Sequence, residues 1–459
     1  ATSPSGSLQL RVITCRASGT KREVRPCVSP PGIYVPGATT ALTRRTTLRK
    51  AFLAPWHPMV EQMRLWFLAV AQVKTGVAIH AVHDVVTHHH TRVTPSDDNL
   101  PEFLRIVHGE TSKALNVLLA HERYDAPGEL FDDRQTHRMR LLDAEAMAGQ
   151  HVYERLNTVA AGLVSRPEHM PGVALAHERW RGGPIVVRRP ELYVDPRRSP
   201  SELPLHLTPD PELYRVFEGD LDALTHHLDR LVAYGLKRIQ RVRRGRPALG
   251  AKAVRRIHPW SEPRTLRETR GRPVRTFKVG ARDILGLERE VAASGERSGW
   301  RGEHRETRIA RRDGDLTRSY PHGTYAARVH QGAPVEAEPP PDAVLAKPGP
   351  TLEDVQEELR DASPAEREER AAARRRLTDE VKDAWDEEVE GVVEHDELEL
   401  CRKVPIEAGE TVAGTVEVRH RLDRRPSERS SAARIVTLRD KRRGRPRRHG
   451  GAEGSDPPG

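Results

Sequence analysis

Apolar residues recur at regular spacing from Ile33 to about Leu163 of this 459-residue chain, and that stretch decides where a core can form. Met59, Met63, Trp66, Phe67 and Val70 line one side of a helix predicted over residues 58–75, closed by Gly76. Val77–Val86 and His88–Thr94 are rich in Val, Ile and Thr and read as β segments, either a hairpin or one bent strand. A second helix is expected from Pro101 to Ala120, and a third from an N-cap at Asp143 to about Val164. A first strand is expected over Ile33–Leu42, followed by a basic turn that holds Arg44, Arg45, Arg49 and Lys50. The order strand, helix, strand, strand, helix, helix suits an α+β layer, an antiparallel sheet with helices on one face.

The remainder is more polar. Only 36% of residues are hydrophobic, 31% are charged, and the mean hydropathy is −0.66, which fits a globular part diluted by solvated segments. Residues 1–31 are read as a disordered N-terminal segment and residues 32–175 as the main folded domain. Residues 176–335 are read as a basic extension that includes an amphipathic helix over 221–239. Residues 336–459 are read as a proline-rich linker, an acidic helical stretch and a basic disordered tail. The acidic stretch reads as a solvated helix, or as a competitor with a polyanion for the basic segments. Three scattered cysteines argue against a disulfide framework or a thiolate zinc site and favour a reducing cytoplasm. No apolar run reaches the length of a membrane helix, so no membrane partner is expected. The first residues lack an apolar stretch and no secretory signal is expected there; the start at Ala1 rather than Met leaves the natural beginning open.

A net charge of +10 favours a polyanionic partner. Arg-Gly-Arg-Pro occurs at residues 244–247, 270–273 and 443–446, and the last copy resembles an AT-hook, whose arginines enter a narrow minor groove. Such tetrapeptides also arise by composition, and nonspecific phosphate binding is the simpler role. The expected DNA contacts are Arg44, Arg45, Arg243, Arg244, Arg246, Arg443 and Arg445.

Two local patterns bear on chemistry. In His88-His89-His90, side chains of a strand alternate, so His88 and His90 share a face, and two neutral imidazoles so placed can bind one divalent ion. The same cluster, with His80 and His83 upstream, is also compatible with packing or with a histidine-built zinc module. In the third helix, Val152, Leu156, Val159 and Leu163 define a buried stripe, and Tyr153 and Asn157 lie one turn apart beside it. Tyr153 there serves as core lining or as a nucleophile assisted by a metal held at His88 and His90, with Asn157 as a further oxygen ligand.

The histidine triplet, the run Leu100-Pro101-Glu102-Phe103-Leu104 before Lys113-Ala114-Leu115-Asn116, and Tyr153-Glu154-Arg155-Leu156-Asn157-Thr158-Val159-Ala160-Ala161-Gly162-Leu163-Val164 stand in an order that resembles the REP-associated single-tyrosine HUH transposases. Pro184–Pro190 and Gly323–Val329 resemble the extension of a long subgroup, so the likeness spans roughly residues 30–335. The resemblance implies a ferredoxin-like fold and a DNA strand-transferase or nickase acting on single-stranded or hairpin DNA. It implies Mg2+ or Mn2+ at His88, His90 and Asn157, Tyr153 as the nucleophile, a 5′-phosphotyrosine intermediate, and a monomer or homodimer in the bacterial cytoplasm at the nucleoid. Thr87 stands where the family has Asn, Thr158 where it has Pro, and His89 where an apolar residue is usual. The alternative is a DNA-binding protein of the same fold that does not cut.

Overall fold

The computed structural model describes residues 31–133, 135–262 and 275–394. Its centre is β1 (Thr40–Arg45), α1 (Pro58–Thr75), β2 (Ala78–Val85), β3 (His88–Thr94), α2 (Leu100–His121) and β4 (His137–Leu141). These four strands lie in the spatial order β2-β3-β1-β4, each antiparallel to its neighbour. That is the βαββαβ arrangement of a ferredoxin-like α+β fold, in agreement with the expected class. β5 (Ala174–Leu175) extends the sheet antiparallel beside β2, and β8 (Phe277–Lys278) extends it parallel beside β4.

Local chemistry explains the boundaries. In α1, His57 caps the start by accepting from the Met59 N–H at 3.1 Å, Pro58 presets the first turn, and Gly76 ends the helix at φ +69°. β1 begins later than the predicted strand because Pro36 lacks an N–H and Gly37 turns the chain at φ +64°. β4 falls between the second and third expected helices, where no strand is expected. Two of its arginines are drawn inward: Arg138 lies 4.4 Å over the Tyr34 ring, and Arg140 donates to the carbonyls of Leu345 and Lys347.

Cross-strand partners share a face, so register sorts the side chains. Asp84 and His89 are paired and face α1 and α2: Arg64 of α1 binds the Asp84 carboxylate at 2.8 and 2.9 Å, and His108 of α2 meets His89 at 2.9 Å. Thr43, His83 and His90 share the opposite face. There α3 (Ala144–Ala160) crosses, begun by Asp143, which accepts from the Ala146 N–H at 2.7 Å. The sheet thus carries two helices on one face and the third helix on the other.

The chain continues through a β6–β7 hairpin (Ile185–Arg188, Glu202–Leu205), α4 (Pro211–Val216), α5 (Leu221–Arg243), α6 (Ala251–Val254), α7 (Ile284–Arg312), α8 (Tyr325–Gln331), α9 (Leu352–Arg360) and α10 (Pro364–Glu394). The acidic stretch is helical, and Leu377, Val381 and Trp385 of α10 join the main hydrophobic core. Gly235 of α5 permits this approach: a Cβ there would stand 2.6 Å from Leu156 of α3 and 3.0 Å from the Trp385 indole. Within the proline-rich stretch, the Glu296 carboxylate of α7 accepts the backbone N–H groups of Val344, Leu345 and Ala346 at 2.6–2.7 Å. No described helix is long and apolar enough to cross a membrane. The segments 1–30 and 395–459 and the second and third Arg-Gly-Arg-Pro copies, with Arg443 and Arg445, lie outside the described residues.

Candidate active site

β3 brings two imidazoles to the face that α3 crosses. The His88 and His90 rings are 4.9 Å apart and nearly perpendicular. The Tyr153 ring stands edge-on to His90 at 5.5 Å, and the Asn157 side chain, one turn further along α3, hydrogen-bonds His88. Tyr153 and Asn157 are half-buried, as is His88, whereas His90 is buried. The four sequence-expected residues therefore meet on one face, two from a strand and two from a later helix.

Both imidazoles are held by their Nδ1 atoms. Thr43 Oγ1 lies 3.0 Å from His90 Nδ1, and Thr87 Oγ1 lies 3.2 Å from His88 Nδ1. Thr87 therefore supplies a hydroxyl to the first histidine. Burial, reinforced by His137 and Arg45, pushes His90 down to about 3. Burial, then His90, Arg45 and Arg49, holds His88 well below the ordinary imidazole range. Both rings are neutral at pH 7, the form that ligates a cation. His90 Nε2 is buried and meets no hydrogen-bond partner among the described residues. An imidazole fixed through Nδ1 with an unpartnered buried Nε2 fits a divalent ion, and hydroxyl partners of this kind orient metal-binding histidines. Among the described residues no three His, Cys, Asp or Glu side chains are grouped so as to hold a metal ion, so the donors that could meet one here are two imidazoles and the Asn157 amide.

The neighbouring histidines differ in how they are held. His80 is held between the Thr208 carbonyl at 2.9 Å and Thr94 Oγ1 at 2.7 Å. His89 points to the opposite face, as strand alternation requires. His83, cross-strand from His90, is buried and its Nε2 also lacks a partner.

The arginines divide. Arg45 is exposed and cross-strand from His88. Arg44 turns to the other face instead: it lies 5.5 Å over Phe131 and donates to the Asp132 carbonyl at 3.2 Å and to His108 Nδ1 at 3.3 Å. Arg243 is also directed inward, donating to the Ala160 carbonyl at 3.2 Å and so tying the end of α5 to the end of α3. Arg244, in the left-handed region at φ 49°, and Arg246 are exposed.

Sequence reasoning missed the buried charges beneath Tyr153. Arg92 follows His90 by two residues on the same strand face and is fully buried. It donates to Asp210 at 2.7 Å, to Glu154 at 2.9 Å and to His151 Nδ1 at 3.0 Å. The available signal was an arginine in phase with the histidine pair, and His151 and Glu154 at i, i+3 on the helix that carries Tyr153.

No model of a known protein family matches the chain, and no curated protein matches it. Among solved structures, one described as "Structure of the REP associates tyrosine transposase bound to a REP hairpin" is similar at 17% identity and a TM-score of 0.26, over 37% of this chain and 93% of that one. A likeness that slight bears on neither fold nor function.

Proposed function

We propose that this protein cleaves and transfers DNA strands by tyrosine transesterification, with Tyr153 as the nucleophile. The observation that supports this reading above all others is the approach of Tyr153, at 5.5 Å, to the imidazole whose Nε2 is buried without a partner. A phenol beside neutral, pre-oriented imidazoles suits nucleophilic attack on a phosphodiester.

In the proposed step the Tyr153 oxygen forms a bond to the scissile phosphorus as the bond from phosphorus to the 3′ oxygen breaks. The proton lost by the phenol is balanced by the one taken up by the released 3′ oxygen, which leaves as a 3′-hydroxyl. The product is a 5′-phosphotyrosine, and attack on it by another 3′-hydroxyl reverses the chemistry to join a new strand. A divalent ion, Mg2+ or Mn2+, held by His88, His90 and the Asn157 amide oxygen would supply Lewis-acid polarisation of the phosphate. Thr43 and Thr87 keep the two imidazoles in position. Arg45, exposed beside His88, is suited to the backbone phosphates, and a net charge of +10 favours the same partner. Single-stranded or hairpin DNA is the expected substrate.

The test is formation of a covalent protein–DNA adduct on single-stranded hairpin substrates with Mg2+ or Mn2+. Adduct that forms with the unaltered chain and vanishes in Tyr153→Phe is expected. Adduct unchanged by that substitution removes Tyr153 from the role. Salt-dependent binding without any adduct in the unaltered chain leaves a DNA-binding protein of this fold.

A further inference from the structure

We infer that Arg92 is a positioning residue, clamping α3 to β3 so that Tyr153 is held against His90. This rests on the reading of Tyr153 as nucleophile. Arg92 shares a strand and a face with His88 and His90, and its two acceptors on α3, His151 and Glu154, bracket Tyr153 along the helix. Nε goes to Asp210, the N-cap position of α4, one NH2 group to Glu154, and the other to His151. Two attachment points at i and i+3 fix both the slide and the roll of α3 over the strand that bears the imidazoles. A one-residue slip moves a helix by about 1.5 Å, and misplacement of a reacting group by about 1 Å costs on the order of 100-fold in rate.

The clamp is itself anchored from outside. Arg92 can only donate, so His151 Nδ1 accepts, and His151 Nε2–H then donates to His177 Nδ1 at 2.9 Å. His177 Nε2–H in turn donates to Asp229 on α5 at 2.8 Å. One directed chain of hydrogen bonds thus runs from β3 through α3 to α5 and fixes the tautomer of each ring. Stability alone is a poor reason for such a cluster, because well-packed apolar residues often replace buried ion pairs with no loss of stability. Its distinctive product is a single geometry for the helix that carries Tyr153.

The experiment compares Glu154→Leu, Glu154→Gln and the apolar pair Arg92→Met with Glu154→Leu in the full chain. Two readouts are taken: the ring resonances of 13C-labelled Tyr153, assigned through Tyr153→Phe, and the single-turnover rate of adduct formation on hairpin DNA. The expected result is that Glu154→Leu and the apolar pair stay folded, shift or split the Tyr153 resonance, and slow adduct formation by about 100-fold at unchanged hairpin affinity. Glu154→Gln, which keeps an acceptor for Arg92, should recover most of the rate. Wild-type resonance and rate in every folded variant would overturn the inference. If Glu154→Leu and the pair fail to fold, Asp229→Ala, which cuts the chain that anchors His151, decides: a Tyr153 resonance unmoved in it overturns the inference, and a shifted one supports it. If the unaltered chain makes no adduct, the proposed function falls, and the resonance alone then decides whether the clamp sets the ring.

Discussion

On the α1–α2 face of the sheet, His89 belongs to a closed chain of hydrogen bonds. Arg44 donates to His108 Nδ1 at 3.3 Å, His108 Nε2–H donates to His89 Nε2 at 2.9 Å, and His89 Nδ1–H donates to Thr91 Oγ1 at 3.1 Å. On the α3 face, one residue away in each direction, His88 and His90 are each met at Nδ1 by a hydroxyl, the Asn157 side chain also bonds His88, and His90 Nε2 has no partner among the described residues. Burial does not separate the two sides, since it keeps His89, His108 and His90 all neutral. Satisfaction does. A buried imidazole with both nitrogens paired is finished as structure, whereas one held by a single nitrogen keeps a lone pair for a ligand.

The largest effect should come from exchanging the two roles. His90→Ala is expected to reduce adduct formation by about 1000-fold or more, because it removes a proposed ligand, at a modest stability cost from the lost ring volume and the half-buried Thr43 hydroxyl left without its partner. His108→Ala should do the reverse. Stranding His89 Nε2 and an Arg44 N–H costs about 1–3 kcal/mol for each buried group left unsatisfied, read as a lower urea midpoint, with the adduct rate per folded molecule retained. Equal effects of the two substitutions on both readouts would erase the distinction between the faces.

Thr43→Val sharpens the comparison, since it removes the hydroxyl at His90 Nδ1 and preserves the side-chain shape. Loss of such a supporting group weakens metal affinity by about 10- to 100-fold, so titration with Mn2+ should show a shift of that size. Thr91→Val, the equivalent change beside His89, should leave the Mn2+ titration unmoved.

How much of this was legible in the sequence follows the kind of interaction that fixes each part. The limits of β3 and α1 and the division of His88 and His90 from His89 follow from alternation, helical spacing and caps, all local signals. β4 was hidden because Arg138 and Arg140 occupy its alternate positions and find their partners in Tyr34 and the 345–347 segment, far along the chain. α7 was hidden for a different reason: Ile284, Leu287 and Val291 are exposed, so its long helix lacks a buried apolar stripe over its first turns. The meeting of Tyr153 with His90 was drawn from resemblance and from a helix face. The Arg92 cluster beneath it was not, because strand phase shows which way a side chain points and not what crosses above it.

Acid pH should act on both faces alike, and so separates folding from chemistry. His90 has a folded value of about 3 against an unfolded value near the ordinary 6.5. As pH falls from about 6.5 towards 3, the unfolded chain binds a proton that the folded chain refuses, so stability falls by about 1.4 kcal/mol per pH unit for each such imidazole; above that window the penalty is absent. His89 and His108, lowered in the same direction, add to the slope. Urea midpoints measured from pH 7 to pH 5 in the presence of a chelator should fall steeply, and less so in His90→Gln. An unchanged slope in His90→Gln would mean that this ring does not resist protonation in the folded chain.

The smallest effect is expected at Arg45, and it tests whether the α3 face meets DNA at all. Arg45 is exposed and cross-strand from His88, whereas Arg44, its neighbour in sequence, is committed to Phe131, Asp132 and His108 on the other face. Arg45→Gln should weaken hairpin binding only a few-fold at moderate salt, and reduce the slope of log affinity against log salt by about one, the signature of one lost phosphate contact. Arg44→Gln should leave that slope intact and lower the urea midpoint instead, because it breaks the chain of hydrogen bonds through His108. Should the salt slope respond to Arg44 and not to Arg45, the nucleic acid would lie against the α1–α2 side, and the face bearing His88, His90 and Tyr153 would lose its claim to the phosphate.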